Sequence, residues 1–265
     1  MDGHTDEPHL RTSDGGVAQQ GDDGTWFVVS DHHEGITTRL GREFRPDEFE
    51  NPHGAAACTD EIVFHEVWKE NIYRLQPEML TGGFVVDCGA NIGAFSLLAL
   101  ALHPEESVIA IEPDITNAQI LWDNAEAAGR GEALVVVQRA LTDDWYNGPV
   151  AFVGHGPTAY VDHQLTPGDD PQSRPVETAK LSASIPTGEI DFMKVDIEGS
   201  EWDVWGRGAD AWTVMERVRW FAMEWHAVDF GQLGNFLGRL ATTHCFDIIG
   251  RPETGGMLWA HRHDL

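Results

Sequence analysis

From residue 84 onward, short apolar runs alternate with amphipathic stretches, and this pattern limits the possible folds more than any other feature of the chain. Apolar runs separated by helical stretches are typical of βα units, whose strands pair in parallel. The sequence therefore predicts an α/β domain with a mainly parallel sheet. The predicted strands span 84–88, 108–111, 133–137, 190–195 and 218–224. The predicted helices span 92–102, 115–128, 200–207 and 230–242.

The rest of the chain divides around this domain. The 265 residues are enough for one large domain at 81–265 and a small N-terminal extension at 25–80. The extension contains a strand-like run at 26–29 and a predicted helix at 60–74. Residues 1–24 have almost no apolar side chains and are predicted to form a mobile acidic tail, because they cannot bury enough surface to offset their ordering entropy.

Two further segments depart from the βα alternation. Residues 148–179 are rich in Gly, Pro and Asp with weak strand character, and such insertions are often lids or binding loops. The apolar runs at 246–249 and 257–260 flank a turn and predict a terminal antiparallel hairpin.

The charge of the chain excludes one class of partner. With 17 Lys plus Arg against 44 Asp plus Glu, the formal net charge is −27. Such a surface repels phosphate backbones, so we expect no nucleic-acid partner. The three cysteines form no CxxC pair, and neither a signal-peptide pattern nor a membrane-spanning apolar run is present in the sequence, so we expect a reduced, cytoplasmic protein that does not bind a membrane.

A glycine loop follows the first predicted strand of the domain. Gly89 and Gly93 permit a sharp turn and the close approach of a ligand to a helix N-terminus. A dinucleotide site has the spacing GxGxxG, whereas this loop has Asp87 at the strand end and Asn91 between the glycines. A cofactor that carries an amino group and no phosphate fits this loop better, because Asp87 can pair with a cationic amino-acid part.

The ends of the next two strands supply candidates for an adenosyl group. Glu112, followed by Pro113, comes about twenty residues after the glycine loop, where a carboxylate can accept both hydroxyls of a ribose. The alternative is that Glu112 only caps the following helix. Gln138 and the backbone of Ala140 end the third strand, where they could meet the edge of an adenine.

Charged residues crowd the end of the fourth strand, where ligands of open α/β sheets bind. Alternation puts Lys194, Asp196 and Glu198 on one side of the extended segment, with Glu201 close behind. Concentrated charge on a buried strand is costly unless it is paired or functional. The sequence thus favours a reactive cluster over the alternative of an exposed strand end with a helix-capping acid.

Together, the motifs at 85–93, 111–113 and 194–201 resemble the FkbM-type family of S-adenosylmethionine-dependent methyltransferases, and the resemblance covers roughly residues 60–250. It implies a Rossmann-like class I methyltransferase fold: a mostly parallel seven-stranded sheet with a C-terminal antiparallel hairpin. It also implies O-methylation of a small molecule such as a secondary metabolite or a sugar. The implied cofactor loop consists of Asp87, Gly89, Ala90, Asn91 and Gly93, with Glu112 as the second acid.

The methyl acceptor is expected near the end of the fifth strand. Glu224 and His226 lie two residues apart, on the same side of an extended chain and opposite Lys194 and Asp196. His226 is the preferred base for a hydroxyl proton. The predicted catalytic set is therefore His226, Glu224, Asp196, Lys194 and Glu198.

Several alternatives remain open at this stage. His226 could be a structural strand-end histidine, and an N-methyltransferase would need little help from a base. Asp196, Glu224 and His226 could instead bind a divalent metal, which is possible but not predicted. Five residues before the cofactor strand could form the floor of the acceptor pocket: His65, Glu66, Trp68, Asn71 and Tyr73. Of these, Trp68 is interpreted as a packing residue and His65 as a solvated one.

Two other classes of protein use a similar sheet. A nicotinamide-dependent oxidoreductase would need the GxGxxG loop and usually a paired Tyr and Lys, and the three tyrosines, Tyr73, Tyr146 and Tyr160, are not paired in that way. A rise in the melting temperature with NAD but not with S-adenosylhomocysteine would indicate an oxidoreductase rather than a methyltransferase. A non-catalytic scaffold that has kept the fold is the second alternative, and it would be unaffected by loss of Glu112.

Overall fold

The computed structural model describes residues 59–103, 105–143, 148–153, 173–206 and 208–265, together with short strands at 9–11, 17–20, 26–29, 36–37, 43–44 and 160–162. Its centre is a seven-stranded sheet. The strands, in chain order, are β1 (Phe84–Cys88), β2 (Ser107–Ile111), β3 (Leu134–Val137), β4 (Ile190–Val195), β5 (Val218–Trp225), β6 (His244–Arg251) and β7 (Gly255–Arg262).

The strand order is β6-β7-β5-β4-β1-β2-β3. Strands β1 to β5 pair in parallel, while β7 runs antiparallel to both β5 and β6. This arrangement confirms the predicted mostly parallel seven-stranded sheet with its C-terminal hairpin. The chain order reverses between β1 and β4, and a crevice for a ligand opens at such a point in parallel sheets.

Helices cover both faces of the sheet. They are α1 (Thr59–Phe64), α2 (Ala94–Leu102), α3 (Ile115–Ala127), α4 (Leu181–Ser184), α5 (Glu201–Trp205), α6 (Asp210–Met215) and α7 (Phe230–Leu240). A π-helical turn, His65–Lys69, continues α1, and 3-10 turns lie at Pro77–Met79 and Gly131–Ala133. The predicted helix at 60–74 is thus shorter than expected, because Asn71 and Arg74 adopt positive φ and turn the chain.

Each face of the sheet has its own apolar core. Because side chains alternate along a strand, Val86 and Met193 face the core with α5, α6 and α7, whereas Val85 and Phe192 face the core with α2 and α3. The strands read as continuous apolar runs because both faces are covered. This explains why β1 and β4 have the bounds that the sequence predicts.

The insertion is more regular than predicted. Val150–Val153 pairs antiparallel with Tyr160–Asp162 and with Ser173–Val176, and Ala140–Thr142 pairs in parallel with Thr178–Lys180. Its weak apolar pattern hid these short strands from sequence analysis.

Five short strands lie before residue 59. His9–Arg11, Val17–Gln20 and Trp26–Val29 form one antiparallel sheet, and Ile36–Thr37 pairs with Glu43–Phe44. Most of residues 1–24 lie outside the described part, so the mobile tail stays a prediction. In the described residues, no helix has the length and apolar character to span a membrane.

Candidate active site

The loop after β1 is shaped by two glycines in the left-handed region. Gly89 has φ +77°, and a Cβ there would lie 1.8 Å from the carbonyl oxygen of Asp196. Gly93 has φ +97°, and its Cβ would lie 2.2 Å from Leu121 Cδ1. Asn91 between them also has positive φ. Gly89 and Asn91 line a cavity above the sheet, while Gly93 lies behind it and begins α2.

Asp87 lies beneath this cavity rather than in its wall. It is fully buried, accepts a hydrogen bond from Ser96 at 2.7 Å and lies 3.3 Å from Lys194 Nζ. These contacts arise because Asp87 and Lys194 are register partners on β1 and β4. The predicted direct pairing of Asp87 with a cofactor amino group is therefore not supported: its charge is already balanced by Lys194.

Lys194 ties the glycine loop to β4. Its Nζ donates to the Gly89 carbonyl at 2.7 Å and lies 3.7 Å from Asp196 Oδ2. Burial opposes its charge, but the carboxylates of Asp87 and Asp196 prevail and raise the pKa of Lys194 above its usual range. Lys194 therefore remains a cation that fixes the loop and is not an acid or base at neutral pH.

Glu112, at the end of β2, lies in the cavity wall and is only 4% exposed. Its two oxygens accept the backbone N–H groups of Asn91 at 2.7 Å and Asp114 at 2.8 Å. The oxygen that accepts from Asp114, Oε1, also accepts from Asn117 Nδ2 at 3.4 Å. These bonds orient the group, and the acceptor site that they leave open is the second lone pair of Oε2. The helix α3 is capped by Asp114 instead, which removes the alternative role of Glu112 as its cap.

The cofactor affinity is expected to depend on pH through Glu112. Burial raises the pKa of Glu112 to about 7, and ribose hydroxyls that donate to it would favour the ionised form. S-adenosylhomocysteine should therefore bind up to about tenfold more weakly as the pH falls from 8 to 6, because binding must then expel a proton. Calorimetric titration at each pH measures this slope. The variant Glu112→Gln should bind weakly at both pH values, and a retained slope in that variant would contradict the assignment.

The wall near the end of β3 differs from the predicted adenine contacts. Gln138 is exposed and does not line the cavity, and the Ala140 N–H is donated to the Glu177 carbonyl at 2.9 Å. Ala140 still lines the cavity, beside Arg139 and Leu141. The sequence pattern missed that Ala140 joins a second small parallel sheet, which uses its N–H.

The insertion supplies a further wall residue, Phe152. Arg174, on the neighbouring strand, lies 4.6 Å from the Phe152 ring centroid and forms an ion pair with Asp114. This pair links the insertion to the loop after β2. Nothing in the sequence singles out Phe152 beyond its place in a segment predicted to be a lid or binding loop.

The opposite wall comes from the segment before β1. Val63, Glu66 and Tyr73 line the cavity, and the Tyr73 hydroxyl donates to Asp196 Oδ2 at 3.1 Å. Burial and the nearby Asp196 raise the pKa of Tyr73, which keeps it a donor.

The other predicted floor residues have structural contacts. Trp68 is packing, as predicted: it is buried, and its Nε1 donates to the Ala94 carbonyl. The side chain of His65 is only 18% exposed and faces Glu70, so its interpretation as solvated is wrong. Asn71 does not line the cavity, since its amide bonds the backbone of Leu75.

A group of four acids gathers at the carboxyl ends of β4 and β5. We call Asp196, Glu198, Glu201 and Glu224 the acid cluster. Asp196, Glu198 and Glu224 line the cavity, whereas Glu201 is buried behind them. The sequence placed Glu198 beside Lys194, but Glu198 has positive φ and turns toward His226 instead.

His226 lies between two of these acids. Its Nε2 is 3.3 Å from Glu198 and its Nδ1 is 3.1 Å from Glu201. Burial opposes its charge, but these two hydrogen-bonded carboxylates raise the pKa of His226 to about 11. Neither ring nitrogen is free to take a proton from a substrate, and His226 does not line the cavity. These contacts do not favour His226 as the general base, and that role stays a prediction.

Glu224, unlike His226, has a carboxylate that faces the cavity and forms no hydrogen bond with the described residues. Burial and the charge of Asp196 raise the pKa of Glu224 to about 7. A partly buried carboxylate of this kind is a suitable acceptor for a substrate proton.

The sheet order and the glycine loop define a Rossmann-like class I methyltransferase fold. The family model of the methyltransferase FkbM domain matches residues 87–245, and the chain belongs to this family of S-adenosylmethionine-dependent methyltransferases. None of the curated proteins matches the chain.

Solved structures with a similar fold have low sequence identity. One is a SAM-dependent O-methyltransferase of Thermotoga maritima, with 16% identity, coverage of 96% of this chain and 94% of that chain, and a TM-score of 0.42. A second is the precorrin-6y C5,15-methyltransferase of Geobacter metallireducens, with 14% identity, coverage of 82% and 96%, and a TM-score of 0.43. A third is the human methyltransferase 10 domain containing protein, with 14% identity, coverage of 76% and 80%, and a TM-score of 0.40.

Proposed function

We propose that this methyltransferase transfers its methyl group to a hydroxyl oxygen of a small polar molecule. The observation that carries the proposal is the position of Glu224. Its carboxylate faces the cavity without a hydrogen-bond partner in the described part of the chain, while Asp196 and Glu198 face Tyr73 and His226. An alcohol loses its proton on methylation, so an uncommitted carboxylate beside the acceptor is the group that this chemistry needs.

The residues around the cavity fit S-adenosylmethionine. Asn91 Oδ1 is buried in the cavity wall and has no hydrogen-bond partner among the described residues, and Glu112 Oε2 keeps an open acceptor site. We infer that Gly89, Ala90 and Asn91 contact the amino-acid part and that Glu112 and Pro113 hold the ribose. Gly93 shapes the helix end behind them. When bound, the cofactor supplies an electrophilic methyl on its sulfonium.

Glu66 is better placed than Asp87 to meet the cationic amino group, because Glu66 lines the cavity whereas Asp87 is buried beneath it. Tyr73 and Lys194 hold Asp196 from two sides, and we assign Asp196 to the acceptor side of the cavity. The adenine would then lie against Leu141 and Phe152, two apolar residues that line the cavity.

The acceptor side of the cavity suits a molecule with several polar groups. Three carboxylates there can each accept hydrogen bonds from hydroxyls. We infer an acceptor among sugars or hydroxylated secondary metabolites, acted on in the cytoplasm. A nucleic-acid substrate does not suit a chain with a net charge of −27.

We also infer separate roles for the N-terminal extension and the main domain. Residues 81–265 would form the catalytic domain, since they contain all seven strands of the main sheet. The extension at 25–80 would close the cofactor side, because Val63, Glu66 and Tyr73 belong to the cavity wall.

The direct test compares matched acceptors. Pairs of small molecules that differ only in a hydroxyl or an amine at one position are incubated with labelled S-adenosylmethionine, and the linkage of the labelled methyl is identified by mass spectrometry and NMR. We expect O-methylated products. Exclusive labelling of the amines would favour N-methylation, for which the acid cluster could bind an ammonium group but no base is needed once the amine is neutral.

A further inference from the structure

Three ligand-type side chains converge at the acceptor side of the cavity. One oxygen of Asp196, one oxygen of Glu198 and one ring nitrogen of His226 all lie within 4.8 Å of one another. Atoms at such separations can reach a common ion with small side-chain movements. The group differs from the metal alternative suggested by sequence, because Glu198 takes the place of Glu224.

A second observation comes from behind His226. Glu201 is fully buried, and its Oε1 lies 3.1 Å from His226 Nδ1. This bond fixes the ring so that Nε2 points toward Glu198. A carboxylate on the remote nitrogen of a histidine is the usual outer-shell arrangement of metal-binding histidines. Among the described residues, the other oxygen, Glu201 Oε2, is buried without a hydrogen-bond partner, whereas Oε1 also accepts the N–H groups of Ile197 and Gly199.

The charges around the site also favour a bound cation. Lys194 balances Asp87, and a neutral, metal-binding His226 would balance no member of the acid cluster, so four negative charges remain when the cluster is ionised. The sulfonium cofactor carries one net positive charge, which leaves three. Partly buried carboxylates are costly without counter-charges, and a divalent cation would offset two of these three charges.

We propose that Asp196, Glu198 and His226 bind a divalent cation of the Mg²⁺ and Mn²⁺ class, with Glu201 as the residue that positions His226. The two carboxylates suit both of these ions. Mn²⁺ should bind more tightly than Mg²⁺, because a transition-metal ion accepts a nitrogen ligand more readily than the hard Mg²⁺ ion. The cation takes the Nε2 lone pair in place of a proton, so that binding releases this proton.

Three protein ligands leave coordination positions open toward the cavity, since Asp196 and Glu198 both line it. This step rests on the proposed function: an acceptor hydroxyl could occupy an open position. The cation would then orient the oxygen and make its proton easier to remove by Glu224.

Direct binding of Mn²⁺ tests the site without any acceptor. The full-length chain is dialysed against a chelator and titrated with Mn²⁺ alone, and the free ion is followed by electron paramagnetic resonance. We expect one ion per chain. The Glu198→Gln variant should bind at least about tenfold more weakly, by analogy with the loss on removal of metal-site partners. The Glu198 side chain is 40% exposed, so this variant should fold.

Two further variants make the test specific. Glu224→Gln removes a neighbouring acid outside the ligand group and should weaken Mn²⁺ binding clearly less than Glu198→Gln, because it removes one nearby charge but no ligand. Glu201→Gln should weaken Mn²⁺ binding about 10- to 100-fold. Because Glu201 is buried and also accepts the N–H groups of Ile197 and Gly199, the fold of this variant is verified by circular dichroism before titration.

The proposal is overturned by any of three outcomes. These are no saturable Mn²⁺ binding at millimolar concentration, unchanged binding by Glu198→Gln, or an equal loss in Glu224→Gln. Because no acceptor is present, each of them would leave the O-methylation proposal intact. Conversely, exclusive N-methylation would refute that proposal without affecting Mn²⁺ binding.

Discussion

Replacement of Glu224 by Gln is expected to lower kcat for a hydroxyl acceptor by about 10²- to 10⁴-fold. Glutamine preserves the shape of the side chain but cannot accept the proton that the hydroxyl must lose. The affinity for S-adenosylhomocysteine should be nearly unchanged, because Glu224 lies on the acceptor side of the cavity. Steady-state kinetics and calorimetric titration of the same preparation measure the two quantities.

A matched acid separates this effect from a general change in charge. Glu253 is exposed in the turn between β6 and β7 and is absent from the cavity wall, so Glu253→Gln should keep the wild-type kcat. An amine acceptor at a pH above its own pKa should also be methylated by Glu224→Gln at a nearly normal rate. If Glu224→Gln loses less than a few-fold of its rate with a hydroxyl acceptor, Glu224 is not the base.

The second large effect is expected from Gly89→Ala. A Cβ at this position would lie 1.8 Å from the Asp196 carbonyl oxygen, and the residue also has φ +77°. Positive φ costs a residue with a Cβ about 1–2 kcal/mol, and overpacking typically adds about 1–3 kcal/mol. We therefore expect a loss of about 2–5 kcal/mol in the free energy of unfolding, measured in urea, and loss of detectable S-adenosylhomocysteine binding.

Gly129 provides the control for backbone strain alone. It has φ +65°, but a Cβ there would have no neighbour within 4 Å. Gly129→Ala should thus cost only about 1–2 kcal/mol and keep cofactor binding. If the two variants lost equal stability, the contact between Gly89 and Asp196 would have no energetic importance. Retained cofactor binding by Gly89→Ala would show that the loop tolerates displacement.

The parts of the fold that sequence analysis predicted are those that local pattern controls. The strands β1 and β4 are buried on both faces, so their residues form continuous apolar runs with clear ends. The glycine loop could also be predicted from the sequence, because the positive φ values at these two positions favour glycine, and Gly89 and Gly93 are glycines. By contrast, the insertion has short strands and few apolar residues, and its wall residue Phe152 went unnoticed.

For the site itself, the sequence by itself determined which acids lie at the carboxyl ends of β4 and β5, since these acids end or directly follow the apolar runs that form the two strands. Only the tertiary structure decided what each of them faces. The register of β1 against β4 joined Asp87 to Lys194, and the turn after β4 brought Glu198 and Glu201 to His226. Two carboxylates beside His226 favour its protonated form in the protein without metal, so we propose Glu224 rather than His226 as the base. Periodicity fixes the direction of a side chain within its own element, whereas its charge state depends on partners that other elements bring to it.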